Sequence, residues 1–218
     1  MTASIVFDLD GTLVDSAPDI AAAVNAMLAD EGCESLSLAT VTSFVGNGLP
    51  HLVKLVIGHV GLDMARHAEL SAATLAHYNR ASTALTVLYP GILDALEHFQ
   101  ACGIRMGLCT NKPEAPARHV LDAFDLSRFF DVVIGGDSLP QRKPDPAPLR
   151  ATFEALGGSQ QIYVGDSEVD AETAHRAGVP FLLFTQGYRK TPVAELPHHA
   201  TYSDSAGLIE GVDQMLGS

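Results

Sequence analysis

Hydrophobic positions along the chain follow two different patterns. Between about Ser16 and Thr83 they recur at helical spacing, and no stretch there alternates as a strand would. Beyond Pro90, short apolar runs alternate with helical segments. The first part contains predicted helices at 17–29, 36–44, 49–57 and 63–81. The second part contains predicted helices at 91–101, 113–124, 146–156 and 169–177, and predicted strands at 104–109, 131–134, 161–164 and 179–184.

The alternating part predicts the fold class, which is α/β with a Rossmann-like parallel sheet flanked by helices. The apolar run at 5–7 supplies a first strand to the same sheet, so the helical block after it is an insertion. We therefore predict a core domain formed by residues 1–15 and 89–218, and an all-helical inserted domain at 16–88. The chain would cross between them at two hinges, near Val14-Asp15-Ser16 and Leu88-Tyr89-Pro90.

Composition narrows the classes of partner. A formal net charge of −13 argues against nucleic-acid and anionic-membrane surfaces, because cations are too few to neutralise a run of phosphates. The three cysteines form no CxxC pair, and their odd number indicates free thiols in a reducing compartment. The chain begins directly with a strand, and no apolar run has membrane-spanning length. We expect a cytoplasmic protein, monomer or homodimer, that binds neither nucleic acid nor membrane.

Polar clusters follow three of the predicted strands. Asp8 and Asp10 come after the first strand, Thr110 and Asn111 after the strand at 104–109, and Asp166 after the strand at 161–164. Because the carboxyl ends of parallel strands meet at one edge of a sheet, these side chains should converge there.

The carboxylates among them predict a metal site. Asp8 and Asp10 would point to opposite faces of a straight strand, so they can share a site only if the chain turns, as Gly11 permits. Carboxylates brought together repel each other unless a cation offsets their charge. Mg²⁺ suits that role because it prefers oxygen ligands, and Asp166 is the natural third contributor.

The remaining polar residues fit a phosphate group, although each also has a simpler explanation. Thr110, Asn111 and free backbone N–H groups at a helix N-terminus could cradle phosphate oxygens, and capping of that helix explains them equally well. Lys143 could balance charge on a carboxylate and a phosphoryl group, whereas alone it would be a solvated loop lysine. Asp170 could support the metal or Lys143, or could simply favour the first turn of a helix.

Four short polar segments of the chain, taken together and in order, resemble the motifs of the haloacid dehalogenase-like superfamily of phosphohydrolases. Its motifs are matched by Asp8-Leu9-Asp10-Gly11-Thr12, by Thr110, by Lys143-Pro144-Asp145-Pro146 and by Gly165-Asp166-Ser167 with Asp170. The phrases Val45-Gly46-Asn47-Gly48, Thr110-Asn111-Lys112-Pro113 and Gly135-Gly136-Asp137 are similar to the phosphoglycolate phosphatase branch. The resemblance covers nearly the whole chain and implies that the inserted helices form a cap domain.

The resemblance also implies roles for individual residues. Asp8 would be the nucleophile that forms an aspartyl-phosphate, and Asp10 would be the general acid and base. Mg²⁺ would be held by the Asp8 side chain, the Asp10 carbonyl and Asp166. Thr110, Asn111 and Lys143 would hold the transferring group of a small phosphorylated metabolite.

One expected contact comes from the cap. The branch has a basic residue in the helix after its Gly-Asn-Gly phrase, and here Lys54 comes about one position earlier, a rotation of roughly 100° around a helix. Lys54 is the lysine that this helix offers, and despite the shift it is our candidate contact for a substrate carboxylate.

Two other functions use the same features. A sugar-phosphate mutase of the β-phosphoglucomutase type would differ in keeping water from the phospho-enzyme. A non-catalytic binding module would usually have lost the nucleophile or the metal ligands, whereas both are present here. Dehalogenases and phosphonatases lack the second aspartate of the first motif, so Asp10 favours phosphate-ester chemistry.

Overall fold

The sheet has the predicted parallel arrangement. The computed structural model of the chain describes residues 2–81 and 83–217. Its strands are β1 (Ala3–Phe7), β2 (Val14–Asp15), β3 (Val87–Leu88), β4 (Arg105–Cys109), β5 (Val132–Ile134), β6 (Gln160–Gly165), β7 (Phe181–Phe184) and β8 (Ala200–Tyr202). Six of these, in the order β5-β4-β1-β6-β7-β8, form one sheet in which every neighbouring pair is parallel. This confirms the predicted fold class.

Helices cover both faces of this sheet and form the insertion. They are α1 (Ala17–Asp30), α2 (Leu38–Thr42), α3 (Leu49–Val60), α4 (His67–Ala81), α5 (Ile92–Ala101), α6 (Glu114–Ala123), α7 (Ala147–Leu156), α8 (Glu168–Ala177) and α9 (Ser205–Gly217). Single turns of 3₁₀ helix occur at Met64–Arg66, Ser127–Phe129 and Val193–Glu195.

Alternate residues of β1 are buried on opposite faces of the sheet. Ile5 and Phe7 join a cluster that includes residues of α5, α6 and α9, whereas Val6 joins a cluster with residues of α7 and α8. Because both of its faces are buried and it lies inside the sheet, between β4 and β6, β1 is held firmly in place. Asp8 directly follows β1 and is therefore positioned at the edge of the sheet where the parallel strands end.

The inserted helices have an apolar cluster of their own. Buried residues of α1, α3 and α4 pack against one another, among them Val24, Met27, Val53, Ile57 and Leu70. The two chain connections to this block pair as the short antiparallel strands β2 and β3. These strands lie where the sequence predicts the hinges, although the division into two domains stays a prediction.

Side-chain hydrogen bonds tie both connections to the helices. The buried carboxylate of Asp19 accepts hydrogen bonds from the backbone N–H groups of Thr83 (3.0 Å) and Thr86 (2.7 Å) on the returning segment. The Tyr188 hydroxyl accepts from the N–H groups of Ser16 (2.8 Å) and Ala17 (2.9 Å), at the start of α1. The connections are therefore fixed by polar contacts as well as by strand pairing.

Some elements escape sequence patterns. The strands β2, β3 and β8 are two or three residues long, which is too short to show a period. The helix α9 contains Gly207 and Gly211, which weaken its helical pattern. A Cβ atom on Gly211 would lie 3.0 Å from Leu182 Cδ1, so this glycine allows α9 to approach the sheet closely.

Across the described ranges of the chain, none of the helices is both long enough and apolar enough to span a lipid bilayer.

Candidate active site

The turn predicted after Asp8 is present and depends on Gly11. The carbonyl oxygen of Leu9 accepts hydrogen bonds from the N–H groups of Leu13 (3.0 Å) and Val14 (3.2 Å), which reverses the chain. Gly11 has φ +88°, and a Cβ atom there would lie 2.5 Å from Asp166 Oδ2. As a result, Asp8 and Asp10 line the same cavity.

Three carboxylates meet at this edge of the sheet. Asp8, Asp166 and Asp170 are buried, and each offers an oxygen within 4.8 Å of the other two. Burial raises the pKa of Asp8 to about 6, although the nearby Lys143 ammonium partly opposes the rise. Burial also raises the pKa of Asp166 well above its usual range, and the negative charges of Asp170 and Asp8 add to the rise. A cation between these oxygens would relieve that cost.

Two of the three carboxylates fit a divalent metal better than the third. Asp170 Oδ1 accepts from Lys143 Nζ and from the Tyr163 hydroxyl, each at 2.7 Å. Its Oδ2 accepts from the Ser167 hydroxyl at 2.6 Å. In contrast, Asp8 Oδ1 is buried and accepts no well-aligned hydrogen bond from the described residues. Asp166 accepts one hydrogen bond at each oxygen, from Thr12 and from the Tyr188 N–H group, and has no cationic partner among the described residues. Asp8 and Asp166 are therefore the side chains best suited to hold Mg²⁺, whereas Asp170 is paired with Lys143.

Lys143 is a buried cation between two carboxylates. Its Nζ atom lies 3.0 Å from Asp8 Oδ1 and 2.7 Å from Asp170 Oδ1. Burial alone would lower the pKa of Lys143, but Asp170 and Asp8 outweigh burial and raise it, so the ammonium stays charged. Burial likewise opposes ionisation of Asp170, yet the charge and hydrogen bond of Lys143 keep the pKa of Asp170 below its usual value.

Asp170 combines both of the interpretations that its position allows. It lies in the first turn of α8, where it completes a capping box with Ser167. It also contacts Lys143 directly. The capping box fixes the carboxylate, and the carboxylate in turn fixes the Lys143 ammonium beside Asp8.

Thr110 and Asn111 are buried just after β4, and several of their polar atoms already have protein partners, whereas Asn111 Oδ1 is buried without one among the described residues. Asn111 Nδ2 donates to the carbonyl oxygens of Gly46 (3.1 Å) and Lys143 (3.0 Å), which links the insertion to the Lys143 loop. Thr110 Oγ1 accepts from the N–H group of Lys112 at 3.3 Å. The N–H group of Glu114, at the start of α6, is bonded to Asp137 Oδ1 at 2.7 Å. The N–H groups of Lys112 and Glu114 therefore have protein partners.

Lys112 is a site residue to which sequence reasoning gave no role. Its Nζ atom lies 3.0 Å and 3.2 Å from the two carboxylate oxygens of Asp10, and 4.4 Å from the centre of the Tyr78 ring. Asp10 Oδ1 also accepts from the Ser16 hydroxyl at 2.5 Å. Its position directly after the strand-end pair Thr110-Asn111 is the feature of the sequence that could have indicated a place in the site.

The insertion closes the site with mostly apolar side chains around a cavity of about 70 Å³. From the insertion the cavity is lined by Ile20, Ala23, Val45, Gly46, Gly48, Leu49, Leu52, Thr74, Leu75 and Tyr78, and from the core by Asp8, Asp10, Thr110, Asn111, Lys112, Pro113 and Pro116. Charged groups in this lining therefore come from the core.

Comparison with known proteins agrees with this arrangement. The model of the haloacid dehalogenase-like hydrolase family matches residues 5–184. The chain belongs to this family. It is 56% identical over 201 residues to a phosphoglycolate phosphatase of Cereibacter sphaeroides, covering 91% of this chain and 92% of that protein. It is 44% identical over 216 residues to a phosphoglycolate phosphatase of Rhodospirillum rubrum, covering 95% of this chain and 90% of the relative.

A solved structure supports the same assignment. The crystal structure of a predicted phosphoglycolate phosphatase from Haemophilus somnus superposes with a TM-score of 0.91 at 30% identity, and covers 97% of this chain and 98% of that one. The predicted resemblance is confirmed, and the chain is a phosphatase of the haloacid dehalogenase-like type.

In this phosphatase most of the predicted site residues converge. Asp8, Asp10, Thr110 and Asn111 line the cavity, while Lys143, Asp166 and Asp170 lie directly behind Asp8.

Lys54 is the exception, because it is exposed on α3 and is not part of the cavity lining. The helix instead presents Leu49 and Leu52 to the cavity. Lys54 follows Leu52 by two positions, which is roughly 200° around the helix and points it away.

Proposed function

We propose that this chain is a Mg²⁺-dependent phosphomonoesterase that hydrolyses a small phosphorylated acid, of the 2-phosphoglycolate type, through an aspartyl-phosphate on Asp8. The single observation that carries the proposal is the position of the Asp8 carboxylate. It is buried 3.0 Å from the Lys143 ammonium, within an oxygen cluster that includes Asp166. The names of the two relatives described above support the choice of substrate.

In the proposed first step, an oxygen of Asp8 attacks phosphorus and the bond from phosphorus to the ester oxygen breaks. The leaving alkoxide takes a proton from the Asp10 carboxyl group. Lys143 compensates negative charge on Asp8 and on the transferring group, and Asp170 holds the ammonium in place.

In the second step, a water molecule attacks phosphorus of the aspartyl-phosphate and gives its proton to Asp10. The bond from phosphorus to the Asp8 oxygen breaks, which releases phosphate and restores the Asp8 carboxylate. Two successive displacements at phosphorus thus replace one slower, direct hydrolysis by water.

Mg²⁺ would be held by the Asp8 side chain, the Asp10 carbonyl oxygen and Asp166, and when bound it would neutralise charge on the phosphoryl oxygens. Thr12 donates a hydrogen bond to Asp166 Oδ1 at 2.8 Å, and the Tyr188 N–H group donates to its Oδ2 at 2.6 Å. These contacts would orient the Asp166 carboxylate toward the ion.

Thr110 and Asn111 would hold the oxygens of the transferring group. Asn111 already reaches Gly46 of the insertion, so we assign the insertion the role of a cap that closes over the substrate. Cap closure would exclude bulk water from the phosphoryl site. We place the enzyme in the cytoplasm, where small phosphorylated acids occur, as a monomer or homodimer.

A phosphate-release screen tests this function. The purified protein with Mg²⁺ is assayed against 2-phosphoglycolate, sugar phosphates, nucleotides and small phosphorylated acids, and kcat/KM is compared. We expect stoichiometric phosphate release and a preference of about a hundredfold for 2-phosphoglycolate. Interconversion of sugar-phosphate isomers without phosphate release would show a mutase, and turnover of none of these compounds would contradict the proposal.

A further inference from the structure

The part of the cavity that faces the insertion has little polar character. Ile20, Leu49, Leu52 and Leu75 line it with aliphatic carbon. Of the described residues in the lining, Lys112 alone carries a lysine or arginine cation. A substrate whose leaving group carries a negative charge would therefore have to place that charge near Lys112, because aliphatic side chains cannot solvate it.

Lys112 is held where such a charge would arrive. Its side chain is 6% exposed and is paired with Asp10, the residue proposed to protonate the ester oxygen. In 2-phosphoglycolate, one methylene carbon separates that ester oxygen from the carboxylate. A cation in contact with Asp10 is thus within reach of the acid group of such a substrate.

Tyr78, on α4, supplies a second polar group at the same place. The residue is 5% exposed and lines the cavity. Its hydroxyl is buried and makes no well-aligned hydrogen bond in the described part of the chain, and Lys112 is the cation that interacts with it. A buried hydroxyl without a well-aligned hydrogen bond destabilises the fold. The buried Lys112 ammonium lies over the Tyr78 ring, 4.4 Å from the ring centre. Both groups can donate a hydrogen bond to a carboxylate.

We propose that Lys112 and Tyr78 form the subsite that binds the carboxylate of the leaving group. The assignment rests on the proposed phosphomonoesterase function and names the residues that select a phosphorylated acid over a neutral phosphate ester. The carboxylate accepts hydrogen bonds from the Lys112 ammonium, on the core, and from the Tyr78 hydroxyl, on the insertion. An acid group would thus bridge the two sides of the cavity, and this subsite replaces the contact expected of the exposed Lys54.

The kinetic test compares two substrates of the same chain length, 2-phosphoglycolate and ethyl phosphate, which lacks the carboxylate. Lys112→Met keeps most of the length of the side chain and removes its charge. We expect kcat/KM for 2-phosphoglycolate to fall about a hundredfold more than kcat/KM for ethyl phosphate. For Tyr78→Phe we expect an additional loss of about tenfold on the acid substrate alone.

Two variants serve as comparisons. Arg80→Met removes one positive charge from the exposed end of α4 and should leave the ratio of the two kcat/KM values unchanged. Lys54→Met should behave like Arg80→Met. Equal losses on both substrates in Lys112→Met would overturn the subsite while leaving phosphomonoesterase activity in place, and so would a loss of acid selectivity in Lys54→Met.

A binding measurement tests the subsite independently of turnover. Calorimetry with Mg²⁺ compares 3-phosphonopropionate with propylphosphonate, which are non-hydrolysable phosphonates with and without the carboxylate. The wild-type protein should bind the carboxylated phosphonate at least about tenfold more tightly, and Lys112→Met should remove the difference. Equal affinity of the wild-type protein for the two phosphonates would overturn the subsite, whatever the result of the phosphate-release screen.

Discussion

The two sides of the cavity differ in what their residues do. On the core side, Asp8, Lys143 and Asp170 contact one another in a chain of buried ionic groups. On the insertion side, uncharged and mostly aliphatic residues such as Leu49 and Leu52 form the wall of the cavity. In the proposed mechanism the core therefore carries the reaction, the insertion excludes water, and both sides select the substrate, through Lys112 and Tyr78.

The two sides are also stabilised differently. Residues of the core site depend on one another, because Lys143 separates Asp8 from Asp170 and Thr12 holds Asp166. The insertion rests mainly on its own apolar cluster and on hydrogen bonds at its two connections. Changes in the core should therefore affect both chemistry and folding, whereas changes at the connections should mainly affect the closure of the insertion.

Removal of divalent metal should have the largest effect, and it acts on the core side alone. We expect EDTA to abolish phosphate release and Mg²⁺ to restore it, because the clustered carboxylates otherwise repel the phosphate as well as each other. The measurement is initial rate in chelator before and after Mg²⁺ is added back. Full turnover in chelator would show that the reaction does not use a metal.

Asp10→Asn should lower kcat for 2-phosphoglycolate by about 10²–10⁴-fold, because the alkoxide then leaves without a proton. The loss should be much smaller for p-nitrophenyl phosphate, whose leaving group is stable as an anion. Steady-state rates on the two substrates check this difference. If both substrates lost the same factor, Asp10 would not be the proton donor.

Lys143→Met should destabilise the fold as well as the site. Removing this ammonium leaves Asp8 and Asp170 buried without their cation, which should cost about 3–5 kcal/mol of the free energy of unfolding. Arg118→Met is the matched control, because it breaks an exposed pair with Glu114 worth about 0.3–0.5 kcal/mol. Urea unfolding measures both, and similar losses in the two variants would contradict the role given to Lys143.

Tyr188→Phe should have the smallest effect and should act at the insertion. It leaves the N–H groups of Ser16 and Ala17 without their partner, which should cost about 1–3 kcal/mol. The matched control is Tyr202→Phe, because the buried Tyr202 hydroxyl has no hydrogen-bond partner within the described ranges. We expect faster proteolysis near Ser16 in Tyr188→Phe only, and unchanged cleavage would remove Tyr188 from the hinge.

The sequence predicted the sheet and the convergence of the acidic residues because both follow from strand ends. Asp8 and Asp166 each come directly after an apolar run, and the parallel topology brings such positions together. It also predicted that Gly11 would permit the turn. These features depend on local patterns and on one rule of topology, so they can be read from a single chain.

Contacts between distant segments could not be predicted in the same way. The pairing of Lys112 with Asp10 joins residues 102 positions apart, and the contact of Lys112 with Tyr78 joins the core to the insertion. The structure does not support the expected contact of Lys54 with the substrate, because Lys54 is exposed and lies outside the cavity lining. One position on a helix decides whether a side chain faces the cavity or solvent. The strands β2 and β3 are too short to have a pattern and form only because the two connections meet.

Rapid-quench trapping tests whether Asp8 bonds covalently to phosphorus. Wild-type enzyme is mixed with 2-phosphoglycolate and Mg²⁺, quenched within one turnover and reduced with borohydride, and the peptide that contains Asp8 is analysed by mass spectrometry. A covalent intermediate on Asp8 should give homoserine at position 8 in the wild-type enzyme and none in Asp8→Asn. Complete single-turnover phosphate release with an unmodified Asp8 at every quench time would contradict it.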